Sequence, residues 1–84
     1  MNSKHRKALA TLFAEPTSGT VEWVAVEGLL VAAGCQITEG SSSRVRFVFE
    51  GMVATFQRPH PAKEAKRYQV RDARAFLIRM GVKP

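Results

Sequence analysis

The sequence predicts a single α+β domain, residues 1–84, in which helices pack on one face of a three-stranded antiparallel sheet. Three observations lead to this prediction. A chain of 84 residues suffices for one small domain. Apolar residues recur at a helical spacing towards both ends of the chain, and they alternate with polar residues in its middle. The predicted order of elements is α-α-β-β-β-α.

Two helices are predicted in the N-terminal third. The first runs from Ser3 to Ala14, where alanines and leucines share one stripe. Pro16 ends it, and the polar residues up to Gly19 form a linker. The second helix is capped by Thr20 and carries apolar residues at the i, i+3, i+4, i+7 spacing. Gly34 follows it as the C′ residue, where glycine is favoured.

The middle of the chain predicts three short strands. The first is Cys35 to Glu39, and a polar loop of Gly40 to Ser43 follows it. The alternating run RVRFVFE is the second strand, and Met52 to Arg58 is the third. Glu50 and Gly51 form a two-residue hairpin loop between them, in which glycine suits the positive φ of a primed turn.

The hairpin loop fixes a register between the second and third strands. The apolar residues then face one another, with Phe49 opposite Met52, Phe47 opposite Ala54, and Val45 opposite Phe56. The other face of the hairpin is polar and basic, since it carries Arg44 and Arg46. The same register sets Ser42-Ser43 beside Arg58-Pro59, so the serine loop and the RPHP segment are predicted neighbours.

The last helix is predicted from Gln69 to Met80 and ends at Gly81. A basic connector, Ala62 to Tyr68, precedes it. On the predicted solvent-exposed face of this region, arginines recur at spacings of three to four residues: Arg67, Arg71 and Arg74.

The charge is the least ordinary property of the chain. The net charge is +6 and the isoelectric point about 10.3. Residues 1–39 have a net charge of −1, from three basic and four acidic side chains, whereas residues 40–84 have +7, from ten basic and three acidic ones. Such a field attracts polyanions, of which nucleic acid is the commonest, although a basic surface without a ligand is the alternative. The expected contacts to RNA are Arg44, Arg46, Arg58, Lys63, Lys66, Arg67, Arg71 and Arg74.

Several classes of site are not expected. Cys35 is the only cysteine, so we expect no disulfide and no cysteine-based metal cluster, and a buried thiol is favoured over a nucleophile. We expect no metal site, no cofactor and no glycine-rich phosphate loop. The N-terminus lacks the pattern of a signal peptide and no apolar run is long enough to span a bilayer, so a cytoplasmic location is expected.

His60 is the candidate catalytic residue. It lies between Pro59 and Pro61 at the edge of the positive field. An imidazole can accept or donate a proton near neutral pH, which suits RNA cleavage without a metal, and basic groups can stabilise the charge on the phosphoryl oxygens. In the alternative interpretation, PHP is a stiff loop and His60 caps a backbone carbonyl.

From Val21 to Val82 the chain resembles the HicA-type toxins of HicA/HicB toxin–antitoxin systems. The matching segments are GLLVAAG, EGSSSRVRF, FQRPHP and VRDARAFLIRMGV. The resemblance implies a fold like the double-stranded-RNA-binding domain, which meets RNA mainly through phosphates and 2′-hydroxyls. It also implies an mRNA interferase, a toxin that cleaves RNA and is silenced by a HicB antitoxin. Residues 20–82 correspond to the family core, and residues 1–19 are an extra helix and linker.

The chain departs from the family at the loop that usually carries the catalytic histidine. Ser42 and Ser43 follow Gly40-Ser41 here, and a serine hydroxyl does not titrate near pH 7. Two hypotheses follow. The protein is a HicA-like ribonuclease in which His60 supplies the imidazole and arginines stabilise charge: Arg44, Arg46 or Arg58. Alternatively it is a non-catalytic RNA-binding module, or a module whose basic face binds an acidic antitoxin.

Overall fold

A computed structural model describes all residues from Met1 to Pro84 and confirms the predicted order of elements. The helices are α1 (Ser3–Phe13), α2 (Trp23–Ala32) and α3 (Arg67–Met80). The strands are β1 (Gln36–Glu39), β2 (Arg44–Phe49) and β3 (Met52–Gln57). They form one antiparallel sheet in the order β1-β2-β3. None of the three helices has the length and apolar character needed to cross a membrane.

The hairpin between β2 and β3 has the predicted register. The partners are Phe49 and Met52, Phe47 and Ala54, Val45 and Phe56. Glu50 and Gly51 have φ angles of 48° and 83°, so both adopt the left-handed conformation that a primed two-residue turn requires. The turn therefore fixes which side chains of the two strands enter the core.

The core lies between the inner face of the sheet and the helices. Sixteen buried apolar residues form one cluster that includes side chains from all three helices. At its centre Trp23 packs against Phe56, with ring centroids 5.3 Å apart, and Phe47 meets Phe56 edge-on at 5.8 Å. Arg44 and Arg46 are exposed on the opposite face of the sheet. The prediction of helices on one face only is confirmed.

The predicted start of α2 was wrong by two residues, since the residue before the helix is Glu22 and not Thr20. Thr20 does not cap the helix, because its backbone N–H and its hydroxyl both meet the Ser18 hydroxyl, at 3.2 and 3.4 Å. The next residues are extended and pair with the connector before α3. Trp23 donates its backbone N–H to the Lys63 carbonyl (2.9 Å), and Ala65 donates to the Val21 carbonyl (2.8 Å). This long-range pairing holds the chain out of the helix until Trp23.

The C-terminal ends of α2 and α3 are as predicted. Gly34 follows α2 with φ 119°, and Gly81 caps α3 with φ 85°, both conformations that favour glycine. Cys35 is buried as expected, and burial raises the pKa of its thiol, so the thiolate is disfavoured near neutral pH.

The N-terminal helix and its linker are tied to the rest of the domain. Leu9 and Leu12 of α1 belong to the single core cluster. The linker after α1 is held by α3, since Arg74 contacts the Glu15 carboxylate at 2.7 Å and the Thr17 hydroxyl at 3.0 Å. Arg67 donates to the Thr17 carbonyl at 3.3 Å. The division of the chain at residue 19 stays a prediction from the resemblance.

Candidate functional site

A polar cleft of about 390 Å³ lies where β3 ends and α3 begins. Its lining residues come from the serine loop, the RPHP segment and the start of α3: Ser43, Gln57, Arg58, Pro59, His60, Lys66, Tyr68 and Gln69. The Arg58 backbone N–H donates to the Ser43 carbonyl at 2.9 Å, which confirms that the serine loop neighbours this segment. Ser42 is exposed and does not line the cleft.

A buried glutamine joins the two walls of the cleft. Gln69 is only 2% exposed, and its amide nitrogen donates to the Gln57 carbonyl at the end of β3 (2.7 Å). Its amide oxygen accepts the backbone N–H of Lys66 at 3.0 Å, which caps the start of α3. Because both ends of the amide are bonded, the position of α3 relative to β3 is fixed at the cleft. The same cap explains why α3 begins at Arg67, two residues before the predicted start.

Arg58 lines the cleft and is paired with two carboxylates. Its Nε and one terminal nitrogen contact both oxygens of Glu27, at 3.0 and 3.1 Å, and its other terminal nitrogen contacts Glu39 at 2.7 Å. These hydrogen bonds raise the pKa of Arg58, so it stays charged. The pairs span α2, β1 and the end of β3. Arg58 is therefore less available to a phosphate than the basic residues that make no ion pair.

Glu27 is a charged residue on an otherwise apolar helix. Its carboxylate also accepts the indole N–H of Trp23 at 2.8 Å. Burial raises the pKa of Glu27, but the hydrogen bonds from Arg58 and Trp23 and the charge of Arg58 together outweigh burial. The net result is a pKa below the usual value of a glutamate.

This lowered pKa predicts how stability depends on pH. Because the pKa of Glu27 is lower in the folded than in the unfolded protein, its contribution is complete above the unfolded pKa and is lost as the pH falls through the folded pKa. We expect Glu27→Gln to lower the free energy of unfolding by about 2 kcal/mol at neutral pH, and by progressively less below about pH 4. Urea denaturation of both proteins from neutral to acid pH measures this difference.

Glu64→Gln is the matched control, since Glu64 is exposed and makes no ion pair. The free energy of unfolding of Glu64→Gln should equal that of the wild type at every pH. A loss in Glu27→Gln that stays constant or grows on acidification would show that the carboxylate charge is not what holds Arg58.

The other basic residues that were expected to contact RNA fall into three groups in the structure. Arg44 and Arg46 line a small depression on the outer face of the sheet, and His60 is not part of it. Arg67 and Arg74 are engaged with the linker after α1. The third group is exposed near the start of α3 and makes no side-chain hydrogen bond or ion pair: Lys63, Lys66 and Arg71. Only Lys66 among them lines the cleft with His60.

His60 presents an exposed imidazole to the cleft. It makes no hydrogen bond with the protein, so the cap on a backbone carbonyl considered from the sequence is not formed. The peptide bond from His60 to Pro61 is cis. The cleft thus holds one imidazole and one unpaired ammonium beside the hydroxyl of Ser43.

Sequence reasoning missed four residues that form or support this site. Tyr68 and Gln57 line the cleft, and Gln69 and Glu27 hold its walls. Two of them carried a visible signal. Glu27 interrupts an apolar helix, and Gln69 lies three residues after Lys66, which is the spacing of a helix cap.

The donor set of the cleft suits an anion. His60, Lys66 and Ser43 line it with an imidazole, an ammonium and a hydroxyl. The nearby carboxylates of Glu27 and Glu39 are paired with Arg58. Nowhere in the structure do three side chains of histidine, cysteine, aspartate or glutamate lie together as a metal site would need. The chain matches no protein-family model, no curated protein and no solved structure.

Proposed function

We propose that the protein is an RNA-binding, HicA-like toxin with a fold like the double-stranded-RNA-binding domain. It acts as a metal-independent endoribonuclease, an mRNA interferase, and a HicB-like antitoxin neutralises it. The observation that carries this proposal is the cleft in which His60 and Lys66 lie together with no protein partner. The resemblance to the family and the net charge of +7 over residues 40–84 support it.

The proposed reaction uses the RNA's own 2′-hydroxyl. His60 accepts the proton of that hydroxyl while the 2′-oxygen forms a bond to phosphorus. The bond from phosphorus to the 5′-oxygen breaks, and water protonates the leaving oxygen. Lys66 stabilises the charge that develops on the phosphoryl oxygens. The products are a 2′,3′-cyclic phosphate and a 5′-hydroxyl, and the proposed reaction requires no metal or cofactor.

The roles of the arginines change in this proposal. Arg44 and Arg46 were expected to stabilise charge beside His60, but they line the outer face of the sheet. They now bind the RNA backbone outside the cleft. Arg58 holds the RPHP segment in place through Glu27 and Glu39 rather than meeting the phosphate.

Cleavage of RNA by the purified protein in the presence of a chelator tests the proposal. We expect fragments that end in a 2′,3′-cyclic phosphate. The same oligonucleotide made entirely of 2′-deoxynucleotides should stay intact, because it lacks the nucleophile. Cleavage that yields a 5′-phosphate, or that stops on adding the chelator, would contradict the mechanism.

The alternative function is a non-catalytic RNA-binding module, or one whose basic face binds an acidic antitoxin. The observation that favours it is that His60 is the only histidine in the cleft, while the position of the family's usual catalytic histidine is Ser42, which does not line the cleft. RNA that is bound but not cleaved would favour this alternative.

Lys66 should contribute to RNA binding by its charge. Lys66→Ala should weaken binding of a short RNA and reduce the slope of log K against log salt concentration by about one unit. Titrations at four or five salt concentrations measure that slope. Lys83→Ala is the control, because it removes the same charge outside the predicted footprint. If both variants change the slope equally, the footprint is not centred on the cleft.

A further inference from the structure

We infer that the cleft receives one unstacked base of a single-stranded RNA, with the ring of Tyr68 as the surface on which that base stacks. This inference rests on the proposed function and names the form of RNA that the site accepts. Tyr68 is 51% exposed, although it is a large aromatic residue, and it lies on the wall of an otherwise polar cleft. Nothing in the protein covers its exposed half.

The other side chains of the cleft fit a nucleotide. Its volume of about 390 Å³ lies within the range of small-molecule sites. Ser43 and Gln57 add neutral polar groups to its lining, of the kind that reads the edge of a base. His60 and Lys66 offer the groups that meet a phosphate. An aromatic surface, neutral polar groups and a cationic end are the features that a base with its phosphate requires.

The walls of the cleft are fixed before a ligand arrives. Gln69 ties α3, and with it Tyr68, to the end of β3 through a bond of 2.7 Å, and it caps the start of the helix through a bond of 3.0 Å from the Lys66 N–H. Arg58 ties the RPHP segment to α2 and β1. A base therefore enters a formed site, and little of its stacking energy is lost to ordering the protein.

A base in a duplex cannot use such a site without leaving its stack. Duplex recognition by shape uses phosphates and 2′-hydroxyls, as the resemblance implies, and it needs no aromatic ring. Aromatic side chains instead stack on the bases of single strands. We therefore expect single-stranded RNA to bind more tightly than a duplex of the same sequence.

The test measures binding separately from cleavage. Fluorescence anisotropy follows a labelled single-stranded oligonucleotide with 2′-O-methyl groups, which cannot be cleaved by the proposed reaction. Tyr68→Ala and Tyr68→Leu should each weaken binding on the order of tenfold, the range of one base stack. Tyr68→Phe keeps the ring and should stay within about twofold of the wild type.

Two controls make the result specific. Ile78→Ala removes an exposed large side chain from the same helix, away from the cleft, and should leave binding unchanged. The slope of affinity against salt should be the same for Tyr68→Ala and the wild type, because tyrosine carries no charge. This separates Tyr68 from Lys66, whose replacement should flatten the slope. Tyr68→Leu retains apolar bulk, so it tests the ring even if the alanine variant folds poorly.

Four results would overturn the inference. Unchanged binding by Tyr68→Ala and Tyr68→Leu would show that the ring takes no base. A loss in Tyr68→Phe equal to that in Tyr68→Ala would assign the effect to the phenol hydroxyl. If Tyr68→Ala weakened the binding of duplex RNA by the same factor as that of single-stranded RNA, the ring would not be selecting single strands. Failure of the wild type to bind either RNA would refute the proposed function together with the inference, whereas the first three results leave RNA binding intact.

Discussion

Replacing Phe47 by aspartate should unfold the protein. Phe47 is completely buried at the centre of β2, where its ring lies 5.8 Å from that of Phe56 and 6.4 Å from that of Trp23. Removing a buried phenylalanine side chain costs about 3–5 kcal/mol. An unpaired carboxylate in this apolar cluster adds several kcal/mol more, whether it stays charged or takes up a proton. The sum is comparable with the whole stability of a domain this size, about 0.05–0.15 kcal/mol per residue.

Circular dichroism and thermal denaturation measure the effect of Phe47→Asp. The matched control is Val53→Asp in the adjacent strand, because Val53 lies on the outer face of the sheet and is 48% exposed. We expect the control to keep the spectrum and a cooperative transition. A folded Phe47→Asp protein together with an unfolded Val53→Asp protein would mean that the two faces of the hairpin are inverted.

Replacing His60 by alanine should abolish RNA cleavage and leave RNA binding nearly intact. Proton transfer by a positioned imidazole contributes typically 10²–10⁴-fold to a rate, and His60 is the only histidine that lines the cleft. The exposed imidazole makes no bond with the protein, so its removal should leave the fold unchanged. Single-turnover cleavage and anisotropy, measured on the same preparation, separate the two effects.

The only other histidine supplies the control. His5 lies on α1, outside the cleft, and His5→Ala should cleave at the wild-type rate. Cleavage by both variants would exclude His60 and direct attention to the serine loop and the arginines. Absence of cleavage in the wild type and in both variants, with RNA still bound, would make the binding module the better assignment.

Local patterns predicted the sheet well because its determinants are close in sequence. The alternation of RVRFVFE and the positive φ favoured by Gly51 fix the β2–β3 register without reference to the rest of the chain. The start of α2 could not be predicted in this way. It depends on pairing between Val21 and Ala65, which lie far apart in the sequence.

The candidate site was predicted only in part, for a similar reason. The register placed the serine loop beside Arg58, but the carboxylates that neutralise Arg58 come from α2 and β1. A count of basic residues cannot reveal which of them are already paired. Arg74 shows the same limit, since its partner Glu15 is 59 residues away in the chain. Tertiary contacts thus decide which cations remain available to a ligand.

The contacts of Arg67 and Arg74 with the linker after α1 have a consequence for how the domain opens. Helices at chain ends often fray independently of the core, at little cost in free energy. Here α1 cannot leave without exposing Leu9 and Leu12 and breaking the bonds of Arg74 to Glu15 and Thr17. Its local unfolding is therefore coupled to that of α3, and the two helices form one cooperative unit. The first nineteen residues therefore unfold together with the core rather than as a separate attachment to it.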